Sequence, residues 1–162
     1  AGKYAVAQTH RDYPDVKLIQ SENECGNGEN SWAYAMYVFT LMSHYITNGV
    51  SAYTYWNMAL ENGGRSTWGW WQNSMVSVDP QARTYMLNPE FYLFWHFSHF
   101  VKPGAVVLGT QGNFSSNTVA FRNPDGQVIL VMLNPFGSDK VVEIEGGEKA
   151  VLPPQSINTF IL

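Results

Sequence analysis

The feature that most constrains the fold of this chain is a strand–helix–strand succession in its first sixty residues. Residues 17–20 are short and mostly apolar, residues 31–48 carry apolar side chains at helical spacing, and residues 50–58 are rich in β-forming types. Such a succession is the βαβ unit of a parallel sheet. Two parallel strands cannot close an α/β core, and an eight-stranded barrel takes roughly 250 residues. The pattern therefore predicts the last part of a larger barrel.

The second part of the chain has a different pattern, which predicts an antiparallel β-sandwich. A helix is expected to begin at Asn88 and Pro89, with Glu90 near its positive end, and to stop at Pro103 and Gly104. Short β-rich runs separated by turns follow. We therefore divide the chain into residues 1–103, which are α/β, and residues 104–162, which are all-β. The β-rich runs are 105–109, 117–122, 127–133, 140–145 and 157–162.

Composition excludes several classes of function. Hydrophobic residues make up 45% of the 162 residues, which is ample for a packed core and argues against disorder. The net charge is −4 and no run of Lys or Arg exists, which argues against nucleic acid and anionic membrane surfaces as partners. No apolar run approaches the ~20 residues of a membrane span, and no signal peptide is visible in the first residues. One cysteine cannot form an internal disulfide, so the redox compartment stays open.

Two carboxylates follow the first predicted strand, in the stretch "LIQSENECG". In extended backbone Glu22 and Glu24 point to the same side, with Asn23 opposite. At the carboxyl end of a parallel strand they would face the region where α/β proteins hold their active sites. A carboxylate there can serve as nucleophile or general base. The same spacing is also compatible with two solvated loop residues.

Aromatic and amide residues form two further groups. Trp faces stack on the apolar faces of sugar rings, and amides bind hydroxyl groups. Three Trp in a Gly-rich loop favour a binding surface, because loop Trp is harder to explain as core than strand Trp. The aromatic pair at the end of the second strand favours the core instead. The first group is Tyr53, Tyr55, Trp56 and Asn57, and the second is Trp68, Trp70, Trp71, Gln72 and Asn73.

Two weaker signals suggest other chemistry. His96 and His99 have a spacing that metal sites use, but they lie in a largely aromatic helix and no Cys pair or second His pair accompanies them. Cys25 could be a nucleophile with His44 or His10 as its base. Packing is the more common role for such a histidine pair and for a lone cysteine. We expect neither a metal nor an organic cofactor.

Four segments resemble, in order, the C-terminal part of glycoside hydrolase family 30, the family of the glucosylceramidases and microbial β-1,6-glucanases. They are "QSENECGNGENSW", "YTYWNMALENGG", "WWQNSMVSVD" and "FYLFWHFSHFVKPGAVVLG". The resemblance implies a (β/α)₈ TIM barrel joined to a β-sandwich. On that alignment "KLIQSE" is barrel strand seven, "SAYTYWN" is strand eight and "PEFYLFWHFSHFVK" is the last barrel helix. The sandwich would begin at Ala105.

The resemblance also implies a site. Glu22, in the Ser-Glu pair at the end of strand seven, would be the nucleophile of a retaining β-glycosidase. Trp56 would line the sugar site and Asn73 would approach the substrate. Glu24, a neighbour of the nucleophile, and Trp70, in the Trp-rich loop, are further candidate substrate contacts because of their positions alone. The family's acid/base lies on strand four, for which this chain has no equivalent. We therefore predict that the chain alone has no normal turnover.

Partners and location follow from the same resemblance. The expected partner is a carbohydrate, either a β-linked glycan or a glycolipid. An incomplete barrel would expose strand edges and apolar faces, so self-association or pairing with a separate N-terminal barrel segment is expected. A secreted, periplasmic or lysosomal location is implied by resemblance only. The alternative is a non-catalytic carbohydrate-binding module that uses Trp56 and the Trp-rich loop.

Overall fold

The computed structural model describes residues 5–22, 25–61, 64–144, 146 and 149–162. The chain falls into two compact units, Ala1–Phe94 and Trp95–Leu162. The boundary that the sequence suggests, between residues 103 and 104, stays a prediction.

The first unit contains the βαβ succession that the sequence predicts. Strand β1 (Leu18–Gln20) pairs in parallel with β2 (Val50–Tyr53), and helix α2 (Trp32–Thr47) connects them. Ser31 caps α2, because its hydroxyl accepts a hydrogen bond from the Tyr34 amide at 3.2 Å. In the described part of the chain this parallel sheet has two strands, so it is a section of a barrel and not a closed one. The core face of α2 consists of Ala35, Val38, Phe39, Leu41 and Met42.

A second sheet in this unit contains a β-hairpin, as the turn-forming pair Asp79-Pro80 between two β-rich runs predicts. Strand β4 (Val76–Asp79) pairs antiparallel with β5 (Thr84–Leu87), and the Asp79 carboxylate accepts hydrogen bonds from two amides of the turn. Strand β3 (Ala59–Glu61) adds in parallel to β4. Sequence analysis did not identify β3, because three residues are too few to show alternation. Pairing with β4 is what makes the segment a strand.

The helices at the two ends of the first unit differ from expectation. Helix α1 (Ala5–Asp12) lay in a segment for which no helix was predicted, and none of its residues is buried. Helix α3 (Pro89–Ser98) begins where predicted but ends several residues before Pro103. Glu90 lies in the first turn of α3, as predicted, and its exposed fraction is 0%.

The second unit contains the predicted β-sandwich. Four antiparallel strands lie in the order β11–β8–β7–β6, and β9 and β10 form a separate antiparallel pair. Met132, Val142 and Leu152 join the two sheets in one apolar cluster. Strand β10 was not predicted, because its four residues are too few to show a clear alternation and they stand next to a Gly-rich turn. The strands are β6 (Val106–Leu108), β7 (Thr118–Arg122), β8 (Val128–Asn134), β9 (Lys140–Glu143), β10 (Lys149–Leu152) and β11 (Ser156–Ile161).

Candidate active site

The candidate site lies at the carboxyl ends of β1 and β2. Gln20 is the register partner of Tyr53, so both strands leave the sheet at the same edge. Beyond the last pair, Thr54 continues the contact: its amide donates to the Gln20 carbonyl at 3.0 Å and its hydroxyl to the Ser21 carbonyl at 2.6 Å. Glu22 and Trp56 follow within two residues of this junction. Adjacent strands are about 4.8 Å apart, so the two segments emerge side by side.

Glu22 is exposed at this edge, and its backbone is held by the neighbouring amide side chain. The Glu22 amide donates to Gln20 Oε1 at 2.6 Å, and Gln20 Nε2 donates back to the Glu22 carbonyl. This pair of hydrogen bonds fixes the backbone of Glu22 and leaves its carboxylate accessible to solvent. Such a carboxylate is available for attack on a substrate. Glu24, the second predicted carboxylate, lies outside the described residues.

Exposed tryptophans lie after β2 and in the segment between β3 and β4. Trp56 is 48% exposed, and Trp68 and Trp70 are 77% and 63% exposed. The rings of Trp68 and Trp70 lie 5.8 Å apart and are tilted by 31°. The Arg65 guanidinium lies 3.9 Å from the centre of the Trp71 ring and supports it through a cation–π contact. Large apolar rings this exposed indicate a binding surface rather than a core.

Tyr53 and Tyr55 pack inside the unit, consistent with the core role that their strand position favours. The ring of Phe94, on α3, lies 5.9 Å from that of Tyr53 and 5.2 Å from that of Tyr55. Tyr53 also contacts Tyr45 of α2 at 5.9 Å. These contacts hold the end of β2 against α2 and α3.

Asn73 is buried beside the loop that follows β1, and its role as a substrate contact stays a prediction. Its exposed fraction is 0%, and its side chain contacts the loop that follows β1 rather than solvent. Asn73 Oδ1 accepts from the Gly28 amide at 2.7 Å and from the Asn30 amide at 3.5 Å. The backbone amide of Asn73 donates to the Cys25 carbonyl at 2.6 Å. Asn73 therefore ties the segment after Glu22 to the body of the unit.

Glu90 is a residue of the site region whose buried position the sequence analysis did not predict. Its Oε1 accepts a hydrogen bond from Asn73 Nδ2 at 2.7 Å. Burial raises the pKa of the Glu90 carboxyl, and the hydrogen bond from Asn73 partly offsets that rise. The Tyr55 hydroxyl interacts with the same carboxyl, although no hydrogen bond of ordinary geometry joins them. Burial, and then the Glu90 charge, raise the pKa of Tyr55. The one available signal was a Glu in the first turn of a largely aromatic helix.

The raised pKa of Glu90 predicts a pH dependence of stability. A carboxyl with a higher pKa in the folded than in the unfolded state stabilises the fold most at low pH. The free energy of unfolding should therefore fall as pH rises from about 4.5, the ordinary pKa, through the raised folded value. Glu90→Gln should remove this component of the slope. Urea unfolding of the unmodified protein and of Glu90→Gln checks this, at pH values spaced by about one unit between about pH 4 and about pH 8. Identical pH slopes of the free energy of unfolding in the two proteins would contradict it.

The two weaker sequence signals have structural explanations. His96 Nδ1 lies 2.8 Å from the Thr159 hydroxyl and burial lowers its pKa, while His99 stacks on Trp95 at 4.9 Å. Both histidines thus have packing roles. The sulfur of Cys25 contacts the Gly26 carbonyl at 3.9 Å. Among the residues that the structure describes, no group of three His, Cys, Asp or Glu side chains could hold a metal ion.

Comparison with known proteins identifies the class of protein to which a chain with this fold and this candidate site belongs. The model of the glycosyl hydrolase family 30 TIM-barrel domain matches residues 1–101, and that of the family 30 β-sandwich domain matches residues 104–160. The chain belongs to glycosyl hydrolase family 30. Its fold, a TIM-barrel portion followed by a β-sandwich, is thereby confirmed.

Individual relatives agree with this assignment. The chain is 28% identical to the lysosomal acid glucosylceramidase of Mus musculus over 98% of its own length and 34% of the relative's. It is 30% identical to endo-1,6-beta-D-glucanase neg1 of Aspergillus fumigatus, over 97% and 34% respectively. The solved structure of SrfJ from Salmonella typhimurium matches 99% of this chain and 38% of its own, with 25% identity and a TM-score of 0.80. The chain thus spans about a third of the length of its curated relatives.

No helix among the described residues is long and apolar enough to cross a membrane.

Proposed function

We propose that this chain carries the nucleophile half of the active site of a retaining β-glycosidase, and that Glu22 is the nucleophile. The observation that carries the proposal is the position of Glu22. It is an exposed carboxylate at the carboxyl end of a parallel strand, with its backbone held by Gln20 and with Trp56 leaving the neighbouring strand at the same edge. Membership of family 30 supports the proposal, and the resemblance implies that the Glu of the Ser21-Glu22 pair is the nucleophile.

The proposed chemistry proceeds in two steps. A Glu22 oxygen attacks the anomeric carbon, the bond from that carbon to the leaving oxygen breaks, and a glycosyl–enzyme ester forms. A second carboxyl group, about 5–5.5 Å from the first, protonates the leaving oxygen. It then takes a proton from the water that hydrolyses the ester. The family resemblance puts this second group on a barrel strand outside these 162 residues, so we propose that turnover requires that additional strand.

The proposed substrate is a β-linked glucoside, either a glycan or a glycolipid. The names of the relatives support this class, because they include a glucosylceramidase and an endo-1,6-β-glucanase. Trp56 and Trp70 offer exposed rings on which the apolar face of a glucose unit can stack. Glu24 as a substrate contact, self-association and a secreted, periplasmic or lysosomal location stay predictions.

Covalent labelling tests the nucleophile without the missing acid. A 2-deoxy-2-fluoro-β-glucosyl fluoride has a good leaving group, so it reacts without protonation of that group. We expect the intact mass to rise by a single fluorosugar and the adduct to map to Glu22 by peptide sequencing. The assay is run on this chain and on the longest natural polypeptide that contains it. An adduct on another carboxylate, or none in the longer polypeptide, would rule out the assignment.

A second candidate function is sugar binding without chemistry. It is favoured by the Trp68–Trp70 pair, two highly exposed rings only 5.8 Å apart. Such a surface would bind a β-glucan whether or not Glu22 reacts. The labelling result and the response to Glu22→Gln separate the two functions, because only a hydrolase site needs the carboxylate.

Trp70→Ala should weaken binding of a β-1,6-linked gluco-oligosaccharide. Loss of one stacking ring corresponds to about 1.4 kcal/mol, or roughly tenfold in Kd. Because Trp70 is 63% exposed, the free energy of unfolding should change by less than about 0.5 kcal/mol. Tyr85→Ala, an equally drastic change at an exposed aromatic on β5, is the matched control. Calorimetric titration that finds equal Kd values for the two variants would contradict the prediction.

A further inference from the structure

We propose that Glu90 is a positioning residue that holds the segment carrying Glu22 and the segment carrying Trp56 in one fixed arrangement. It acts through Asn73 on one side and Tyr55 on the other. This inference rests on the proposed function of Glu22 and adds a residue, on a different element, that controls the geometry of that site.

The contact toward the Glu22 segment is a chain of hydrogen bonds. Glu90 Oε1 accepts from Asn73 Nδ2 at 2.7 Å, which fixes the orientation of the Asn73 amide. The amide oxygen is thereby directed at the Gly28 amide, also at 2.7 Å. The Asn73 backbone amide donates to the Cys25 carbonyl at 2.6 Å. The loop that follows Glu22 is therefore held at two points by Asn73, once through its backbone amide and once through the side chain that Glu90 orients.

The contact toward the Trp56 segment runs through Tyr55. Its hydroxyl is buried beside the Glu90 carboxyl, and its ring packs on Phe94, four residues further along α3. Tyr55 directly precedes Trp56. A second link lies on the other side of Trp56, where Asn57 Nδ2 donates to the Asn73 carbonyl at 3.4 Å. Helix α3 thus meets both segments at a single carboxyl group.

The choice of a carboxyl at this position argues for a role beyond stability. Glu90 Oε2 and the Tyr55 hydroxyl are buried and make no hydrogen bond of ordinary geometry with the described residues. Leaving a buried polar atom unsatisfied costs about 1–3 kcal/mol. The titratable groups acting on this pair are tyrosines, Tyr34 and Tyr53, and no cation is among them. An apolar residue would serve the core better, whereas only a polar group can orient Asn73.

Three variants test the proposal in the longest natural polypeptide that contains this chain. Glu90→Leu removes the acceptor for Asn73, Glu90→Gln keeps an acceptor and gives Tyr55 a donor, and Leu93→Ala damages the core of the same helix without touching the network. We measure the rate of Glu22 labelling by the fluorosugar per folded molecule. We also measure the exchange rate of the Gly28 amide hydrogen.

We expect Glu90→Leu to slow labelling by roughly 10–100-fold, the usual effect of removing an orienting partner or displacing a reacting group by about 1 Å. Glu90→Gln should stay within about threefold of the unmodified protein, and Leu93→Ala should lower stability with an unchanged labelling rate. Gly28 exchange should accelerate in Glu90→Leu alone. Normal labelling in Glu90→Leu, or equal slowing in Leu93→Ala, would overturn the proposal.

The two proposals fail in different ways. If the unmodified protein labels at another residue or not at all, the nucleophile assignment is wrong. Gly28 exchange then decides the positioning role by itself, and an unchanged exchange rate in Glu90→Leu overturns it. If Glu22 labels normally in both the unmodified protein and Glu90→Leu, the nucleophile assignment stands and the proposed role of Glu90 is wrong.

Discussion

Glu22→Gln is expected to abolish formation of the fluorosugar adduct. Gln has nearly the same shape as Glu, but its amide is not a nucleophile toward an anomeric carbon. Loss of a catalytic group of this kind in a hydrolase lowers the rate by roughly four orders of magnitude or more. In an assay of turnover by the longer polypeptide, kcat/KM should therefore fall by about 10⁴-fold.

The structure makes this substitution a clean test. Glu22 is exposed, and its recorded hydrogen bonds to Gln20 are made by its backbone. The free energy of unfolding should change by less than about 0.5 kcal/mol, so lost labelling cannot be assigned to unfolding. Urea titration followed by Trp fluorescence checks this point.

Glu29→Gln is the matched control for this experiment. Glu29 is another exposed carboxylate, seven residues further along the same loop, and the substitution is chemically identical. Its labelling rate should stay within about twofold of the unmodified protein. Retained labelling in Glu22→Gln, or equal loss in Glu29→Gln, would show that Glu22 is not the nucleophile.

Gly26→Ala is expected to destabilise the fold strongly, for two reasons that act together. Gly26 has φ +73°, where an L residue costs about 1–2 kcal/mol. A Cβ there would lie 2.5 Å from Asn73 Cγ and 2.6 Å from Oδ1. Asn73 cannot yield easily, because Glu90 and Gly28 hold its amide from both ends. Overpacking adds about 1–3 kcal/mol, so the free energy of unfolding should fall by about 3 kcal/mol.

Gly69→Ala separates the two causes. Gly69 has φ +83°, and a Cβ there would meet no atom within 4 Å. The control should therefore lose only about 1–2 kcal/mol, and the difference between the variants reports the clash with Asn73. Urea midpoints of the two proteins provide the measurement. Equal losses would mean that the Asn73 side chain moves freely, contrary to the hydrogen-bonded arrangement.

Local patterns in the sequence were enough to predict the main architecture. The apolar periodicity of residues 31–48 and the β-rich run after Gly49 predicted α2 and β2, and the Asp79–Pro80 turn predicted the β4–β5 hairpin. The alternating runs after residue 104 predicted the sandwich. These features follow from side-chain periodicity and turn chemistry, both of which are local properties of the chain.

Only the tertiary structure determined which residues support the candidate site. Helix α1 and strand β3 have little local signal, and β3 exists because β4 pairs with it. No local pattern pairs Asn73 with Glu90, yet their side chains meet in the interior at 2.7 Å. The sequence determined which side chains follow each strand, because the order and chemistry of neighbouring residues are local properties of the chain. Burial and hydrogen-bond partners depend on residues 17 positions or more apart, such as Asn73 with Glu90 and Gly28, and only the folded chain brings these together.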